Sequence, residues 1–269
     1  MNKQQIINWL LKGDVSIQYQ VWRDLLGKDK KNLQQKIATD GWGNKFLSMQ
    51  RANGHWGNSF YNPKWISTHY TLLDLRNLYL PPQNKIVQAT LKLIVENEKS
   101  EDGGIRLGPS TSQHSDVCVN GMFLNYATYF QVPEIKLRSI VQKAGFAYRK
   151  SAISQAVSSG IEFLLMHNLF LSDHTGEIID KNFLKLTYPS RWRYDILRAM
   201  DYFQFAGIKW DNRMEEALTY LLKKRNKDGT WNMQAAHSGQ VHFIMEKGGR
   251  PSRWNTLRML RVLKHFEIE

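Results

Sequence analysis

The sequence predicts an all-α protein, and three observations carry that prediction. Apolar residues recur at i, i+3, i+4 and i+7 along most of the chain, and sustained strand alternation is scarce. Gly-rich aromatic turns cut these periodic segments. Short Pro-containing segments with a Trp follow several of the turns and lead into a further periodic segment. The pattern amounts to roughly ten to twelve helices.

The elements follow in chain order. Ile6, Ile7, Leu10 and Leu11 mark a first amphipathic helix. Asp14 or Ser16 can cap a second. Its stripe is Ile17, Val21, Trp22, Leu25 and Leu26, and Gly27 is placed to stop it. Leu72, Leu75, Leu78 and Tyr79 form a stripe ended by Pro81 and Pro82. Val87, Leu91, Ile94 and Val95 follow, and the pattern from Met122 through Phe130 runs until Pro133. Further stripes are Val157, Ile161, Leu164 and Leu165, then Met214, Ala217, Leu218, Leu221 and Leu222, then Leu257, Leu260 and Leu263.

The turns are Asp40-Gly41-Trp42-Gly43, Asn53-Gly54-His55-Trp56-Gly57, Asp102-Gly103-Gly104-Ile105, Thr175-Gly176-Glu177-Ile178 and Asp228-Gly229-Thr230-Trp231. Gly and Asn tolerate positive φ, so these pairs turn tightly. The large residue that follows can plug the space between helices, which makes Trp42, Trp56 and Trp231 wedges. Pro63-Lys64-Trp65, Pro189-Ser190-Arg191-Trp192 and Pro251-Ser252-Arg253-Trp254 each precede a helix. The remaining turn leads through Pro109-Ser110-Thr111 into His114-Ser115-Asp116-Val117-Cys118. Equivalent points lie roughly 50 to 75 residues apart, as loops absorb insertions. One hairpin cannot bury its own stripe, so hairpins must stack, and a ring closed on itself protects the end repeats. The expected architecture is an α/α toroid of about five to six helical hairpins over residues 40–269. Residues 1–39 are expected as an N-terminal helical extension packed on it.

Lys plus Arg is 37 and Asp plus Glu is 24, a net charge of +13. With 42% apolar and 23% charged residues the chain is globular rather than disordered. One Cys excludes an internal disulfide framework and a Cys-only zinc site. No apolar run has the length of a membrane span, and the first residues lack the pattern of a secretory signal, so the default location is the cytoplasm. The basic residues do not cluster strongly, and no helix-turn-helix, RNA-recognition or zinc-finger signature accompanies them. A solvated surface is the plainest reading of the charge, with an anionic ligand such as a diphosphate behind it and nucleic acid last.

The Gly-aromatic turns at Gly54-His55-Trp56-Gly57 and Asp228-Gly229-Thr230-Trp231, with Asp102-Gly103-Gly104-Ile105, resemble those of the terpene cyclase and protein prenyltransferase superfamily. These are the squalene–hopene-cyclase-like α/α toroids, and the resemblance covers about residues 40 to 266. The opening, Trp9-Leu10-Leu11-Lys12-Gly13-Asp14 and the segment from Ile17 to Leu26, resembles the start of a small bacterial branch of that superfamily. The resemblance implies inner helices around a central cavity. Four helix starts then converge at its mouth: Trp65 to His69, His114 to Cys118, Arg191 to Asp195, and Arg253 to Asn255.

The same resemblance implies an isoprenoid or similar apolar ligand, with or without a diphosphate. The Asp-x-Asp-Asp and Asp-Asp-x-x-Asp motifs of the cyclases are absent, so a single carboxylate, Asp116 or Asp195, is the candidate acid. Asp116-Val117-Cys118 is similar to the Asp-x-Cys pair that holds catalytic zinc, with a distant His, in protein prenyltransferases. His69, His237 or His242 would have to supply that His from another repeat. The plain alternative makes Asp116 a helix cap and Cys118 a small residue at a helix start. Tyr194 and His69 join the catalytic candidates by position.

Trp65, Trp192 and Trp254 offer aromatic faces to a carbocation or a sugar, or simply pack. Arg191, Arg193 and Arg253 offer bidentate contacts to diphosphate or carboxylate, or pair with neighbouring acids. Asn255 stands beside them. Three functions remain open at this point: an enzyme acting on an isoprenoid, a toroid enzyme acting on a carbohydrate, and a non-catalytic scaffold.

Overall fold

A computed structural model describes residues 1–107, 115–143, 150–234 and 237–268. The Pro109-Ser110-Thr111 segment and His114 lie outside the described residues. The protein is built mainly of α-helices. They are α1 (Lys3–Leu11), α2 (Val15–Gln20), α3 (Lys31–Lys36), α4 (Gly41–Ser48), α5 (Thr68–Asn77) and α6 (Lys85–Asn97), then α7 (Val117–Tyr129), α8 (Glu134–Lys143), α9 (Lys150–Met166), α10 (Ile196–Phe205), α11 (Glu215–Lys223) and α12 (Arg253–His265). Two short strands, β1 (Trp231–Asn232) and β2 (Pro251–Ser252), pair antiparallel, with Trp231 opposite Ser252.

The helix boundaries have local causes. Asn2 and Gln5 form a reciprocal capping box at the start of α1. Asp14, rather than Ser16, caps α2 by accepting from the Ser16 N–H at 2.9 Å. The second helix then widens into a π-helical turn over Val21–Leu25. Asn84 caps α6 by accepting from the N–H groups of Ile86 and Val87. On α11 the buried set is Ala217, Leu218 and Leu221, directly after buried Met214, at the predicted helical spacing.

The chain divides into two compact units. One comprises Met1–Lys30, Ala156–Ser238 and Ile244–Glu269. Its core gathers Leu165, Phe170, Leu197, Met200, Phe203, Leu221, Trp231, Met259 and Val262. Each such side chain contributes about 1.5–3 kcal/mol when fully buried. Helix α12 lies centrally in this unit. Arg258 and Arg261 both reach Asp201 of α10, at 3.3 and 3.0 Å, and Arg261 also reaches Asp24 at 3.1 Å and Gln20 at 3.0 Å. Arg258 and Arg261 are therefore matched by carboxylates. Lys264 donates to the carbonyls of Asp24 and Leu25.

The other unit comprises Lys31–Gln155 and Gly239–Phe243. Its buried residues include Phe46, Trp56, Phe60, Tyr70, Leu72, Leu75, Leu91, Ile94, Phe123 and Tyr126. The returning segment docks here. His242 Nε2 lies 2.9 Å from Thr71 Oγ1, and Phe243 packs on Phe46. Gly239 passes so close to Trp65 that a Cβ there would lie 2.1 Å from the indole.

Three of the Gly turns are fastened in the same way. The backbone N–H of Trp56 donates to Thr68 Oγ1 at 2.9 Å, and that of Trp231 donates to Thr256 Oγ1 at 3.0 Å. The Ile105 N–H donates to Asn120 Oδ1 at 2.8 Å. In each case the residue after the turn is clipped to the opening of α5, α12 or α7. The indole N–H groups of Trp56 and Trp231 cap the carbonyls of Phe46 and Leu221, at 2.6 and 2.7 Å. Both rings are fully buried, as wedges must be. Trp42 differs: Asp40 and Gly41 open α4, so Trp42 rides on a helix and is only partly buried.

The Pro segments are not all immediate helix starts. Trp65 sits within a single 3-10 turn, Lys64–Ile66, that precedes α5. Helix α10 begins at Ile196, after Arg191 has taken a positive φ of 57°. Only α12 starts directly, at Arg253.

Candidate functional site

The predicted site residues fall in both units. Trp65, His69, Asp116 and Cys118 belong to the unit that begins at Lys31. Arg191, Trp192, Arg193, Tyr194, Asp195, Arg253, Trp254 and Asn255 belong to the other.

In the first set, the starts of α5 and α7 bring together an aromatic cluster. His69, the second residue of α5, is fully buried. The rings of Phe60, Tyr61, Tyr70 and Tyr126 surround it with centroids 4.9–5.6 Å away. Three of these contacts are edge-on, as suits ring quadrupoles, and the Tyr61 ring is tilted. His69 Nδ1 lies 3.1 Å from the Tyr126 hydroxyl, and Nε2 has no hydrogen-bond partner among the described residues. Burial pulls the His69 pKa down to about 3, so the imidazole is neutral at pH 7. Burial likewise pushes the Tyr126 phenol up. The Tyr61 and Tyr70 hydroxyls meet at 3.2 Å, and Trp65 stands edge-on to Tyr70 at 4.9 Å.

Asp116, Val117 and Cys118 stand exposed at the start of α7. Burial raises the Tyr61 pKa, the Tyr70 hydrogen bond opposes the rise, and the negative charge of Asp116 adds to it. One Asp116 oxygen accepts from the Val119 N–H at 2.8 Å. Asp116 therefore serves as the helix cap that the plain sequence reading gave it. Among the described residues no three His, Cys, Asp or Glu side chains stand where they could hold a metal ion.

In the second set, Asp195 is the N-cap of α10 and is also buried. It accepts from the Arg198 N–H at 2.7 Å and from Ser190 Oγ at 3.1 Å, with Arg258 3.8 Å away. Burial raises its pKa, and Arg258 and the cap hydrogen bonds oppose the rise. Tyr194 donates to the Leu169 carbonyl at 2.6 Å, and burial raises its phenol. Arg191 is buried, and its carbonyl accepts from Arg198. Trp192 is 45% exposed, with the Arg193 guanidinium 5.2 Å from its ring centre.

Trp254 is buried and stacks on Tyr188 at 4.4 Å, so it packs. Arg253 turns to α1: its Nε donates to the Trp9 carbonyl at 3.2 Å and its guanidinium lies 4.5 Å from the Trp9 ring centre. Asn255 is fully buried and donates to the carbonyls of Leu186 and Asn232.

The sequence reading missed Tyr61, which lies in the irregular segment before Pro63, and Tyr70 and Tyr126, which sit inside helices that look like ordinary core. It also missed Glu246, which accepts from Ser252 Oγ and the Arg253 N–H and so anchors the start of α12 from outside the helix. No local pattern marks a cap that lies six residues upstream.

What fold and clusters define is a mainly α-helical protein with recurrent turn-to-helix clips, and no helix among the described residues is long and apolar enough to cross a membrane. No protein-family model, curated protein or solved structure matches the chain.

Proposed function

We propose that the protein is a toroid of the terpene cyclase and prenyltransferase type that binds an isoprenoid or similar apolar ligand against the aromatic cluster of α5 and α7. The observation that carries this reading is the half-buried pair Tyr61 and Trp65, edging a fully buried ring cluster, with exposed Asp116 and Cys118 at the start of α7, the helix that supplies Phe123 and Tyr126 to that cluster. Aromatic faces and a neutral imidazole suit an apolar ligand, and the polar pair at the rim suits its head group. The role is binding, because the Asp116 and Asp195 carboxylates are both engaged as helix caps.

Cys118 is the only cysteine, so it reports on the site. We expect farnesol, an isoprenoid alcohol, to slow alkylation of Cys118 by iodoacetamide in a saturable way. Tyr61→Ala should remove the protection. Alkylation at an unchanged rate with farnesol present would overturn the proposal.

The full burial of Phe60, Tyr70, Phe123 and Tyr126 favours a second reading, in which the cluster is filled core and the protein is a scaffold. On that reading farnesol gives no protection, and Tyr61→Ala alters stability alone.

A further inference from the structure

A cavity of about 380 Å³ lies in the unit that contains α11 and α12. Leu186, Lys224, Asn232, Met233, Gln234 and Gly249 line it. Its polar groups are sorted by their hydrogen bonds. Gln234 Oε1 accepts from the Leu186 N–H at 2.6 Å and from Lys224 Nζ at 3.4 Å. Asn232 Oδ1 accepts from Asn226 Nδ2 at 2.9 Å. The side-chain oxygens are thus occupied, which fixes how each amide is turned. The NH2 groups of both amides form no hydrogen bond among the described residues.

The backbone frame around them is held as well. Gln234 N–H donates to the Leu186 carbonyl, and Asn255 Nδ2 bridges the carbonyls of Leu186 and Asn232. Met233 N–H donates to Arg250 O, and Gly249 N–H donates to Met233 O.

Lys224 has no ion pair among the described residues, and no lining residue is acidic. Burial disfavours its ammonium and lowers its pKa. His237 Nε2 lies 3.1 Å from Thr187 Oγ1, and its imidazolium is disfavoured first by burial and then by Arg193, Arg191 and Lys185. The cavity therefore presents an ammonium and two amide NH2 groups, all donors, over the apolar side chains of Leu186 and Met233. A phosphate or carboxylate oxygen accepts from such groups strongly.

We propose that this cavity is a binding site for a small molecule bearing a phosphate or carboxylate group, gripped by Lys224, Asn232 and Gln234. It is independent of the isoprenoid reading, which concerns other residues. The test is calorimetric titration of the full chain with inorganic phosphate and, separately, with acetate. Saturable binding of either supports the proposal and names the head group.

Lys224→Gln should weaken that binding about tenfold or more, as loss of one charge-assisted contact does. Lys227→Gln, which removes the same charge at an exposed position, should leave it unchanged. Gln234→Glu keeps an oxygen for the Leu186 N–H, pairs with Lys224 and sets a second carboxylate oxygen where the NH2 stands. It should abolish binding without loss of thermal stability. No binding of either anion, or an equal loss in Lys224→Gln and Lys227→Gln, would overturn the proposal, the latter by tracing the effect to net charge.

Discussion

His69 has a folded pKa of about 3 against an ordinary 6.5, because four aromatic rings replace water around it. The sign of the linkage follows. Above pH 6.5 both folded and unfolded chains hold a neutral imidazole. Below it the unfolded chain takes up a proton that the folded chain refuses, so stability falls as pH drops toward 3. Between pH 7 and pH 5 this one residue costs about 2 kcal/mol. We expect urea unfolding at the two pH values to show that loss, and His69→Phe to lose less by about the same amount. An identical pH dependence in the variant would mean that His69 is solvated.

At the same scale, Asp116 was legible as a helix cap, because a cap is a local device read from one residue and the stripe behind it, whereas Asp195, read only as a candidate acid, also caps its helix. The burial of His69 was not legible, since its neighbours Phe60 and Tyr126 come from segments 9 residues before and 57 residues after it.

The element-scale unit is the clip between a Gly turn and the helix that follows. Its side chain differs in kind, Thr68 and Thr256 in two cases and Asn120 in the third, but the accepted N–H is equivalent. Thr256→Val keeps the shape and removes the acceptor, leaving the Trp231 N–H buried and unpaired. That costs about 1–3 kcal/mol. Thr256→Ser keeps the hydroxyl and should cost well under half as much in the same urea titration. Equal costs would shift the effect from the hydrogen bond to the lost methyl packing.

The wedge tryptophans were readable from the turns because the turn and its wedge are adjacent in sequence. The clip was not, since it closes over gaps of 12, 15 and 25 residues. The cavity around Lys224 was hidden for the same reason: its lining comes from positions 186, 224, 232–234 and 249.

On the scale of the whole molecule, the all-α prediction holds, and the described residues divide into two compact units with interleaved chain segments. The first 30 residues share a unit with α12. They bring Ile6, Ile7, Leu10, Ile17 and Val21, all buried, to it. At about 1.5–3 kcal/mol each, these five side chains rival the whole stability of an ordinary domain. Deleting residues 1–30 should therefore abolish the cooperative thermal transition of this unit, followed by near-ultraviolet circular dichroism of Trp231 and Trp254. A cooperative melt within a few degrees of the intact chain would show that α1 and α2 are dispensable.

The bond from Arg261 to Asp24 spans 237 residues. During synthesis α1 and α2 leave the ribosome long before α12 exists. At about 5–20 residues per second the wait is roughly 10 to 50 s. For that interval α1, α2 and the π-helical turn have one another but not α12 to cover them. The earliest helices of this chain are thus among the last to be secured, and they are the stretch for which a nascent-chain chaperone would compete.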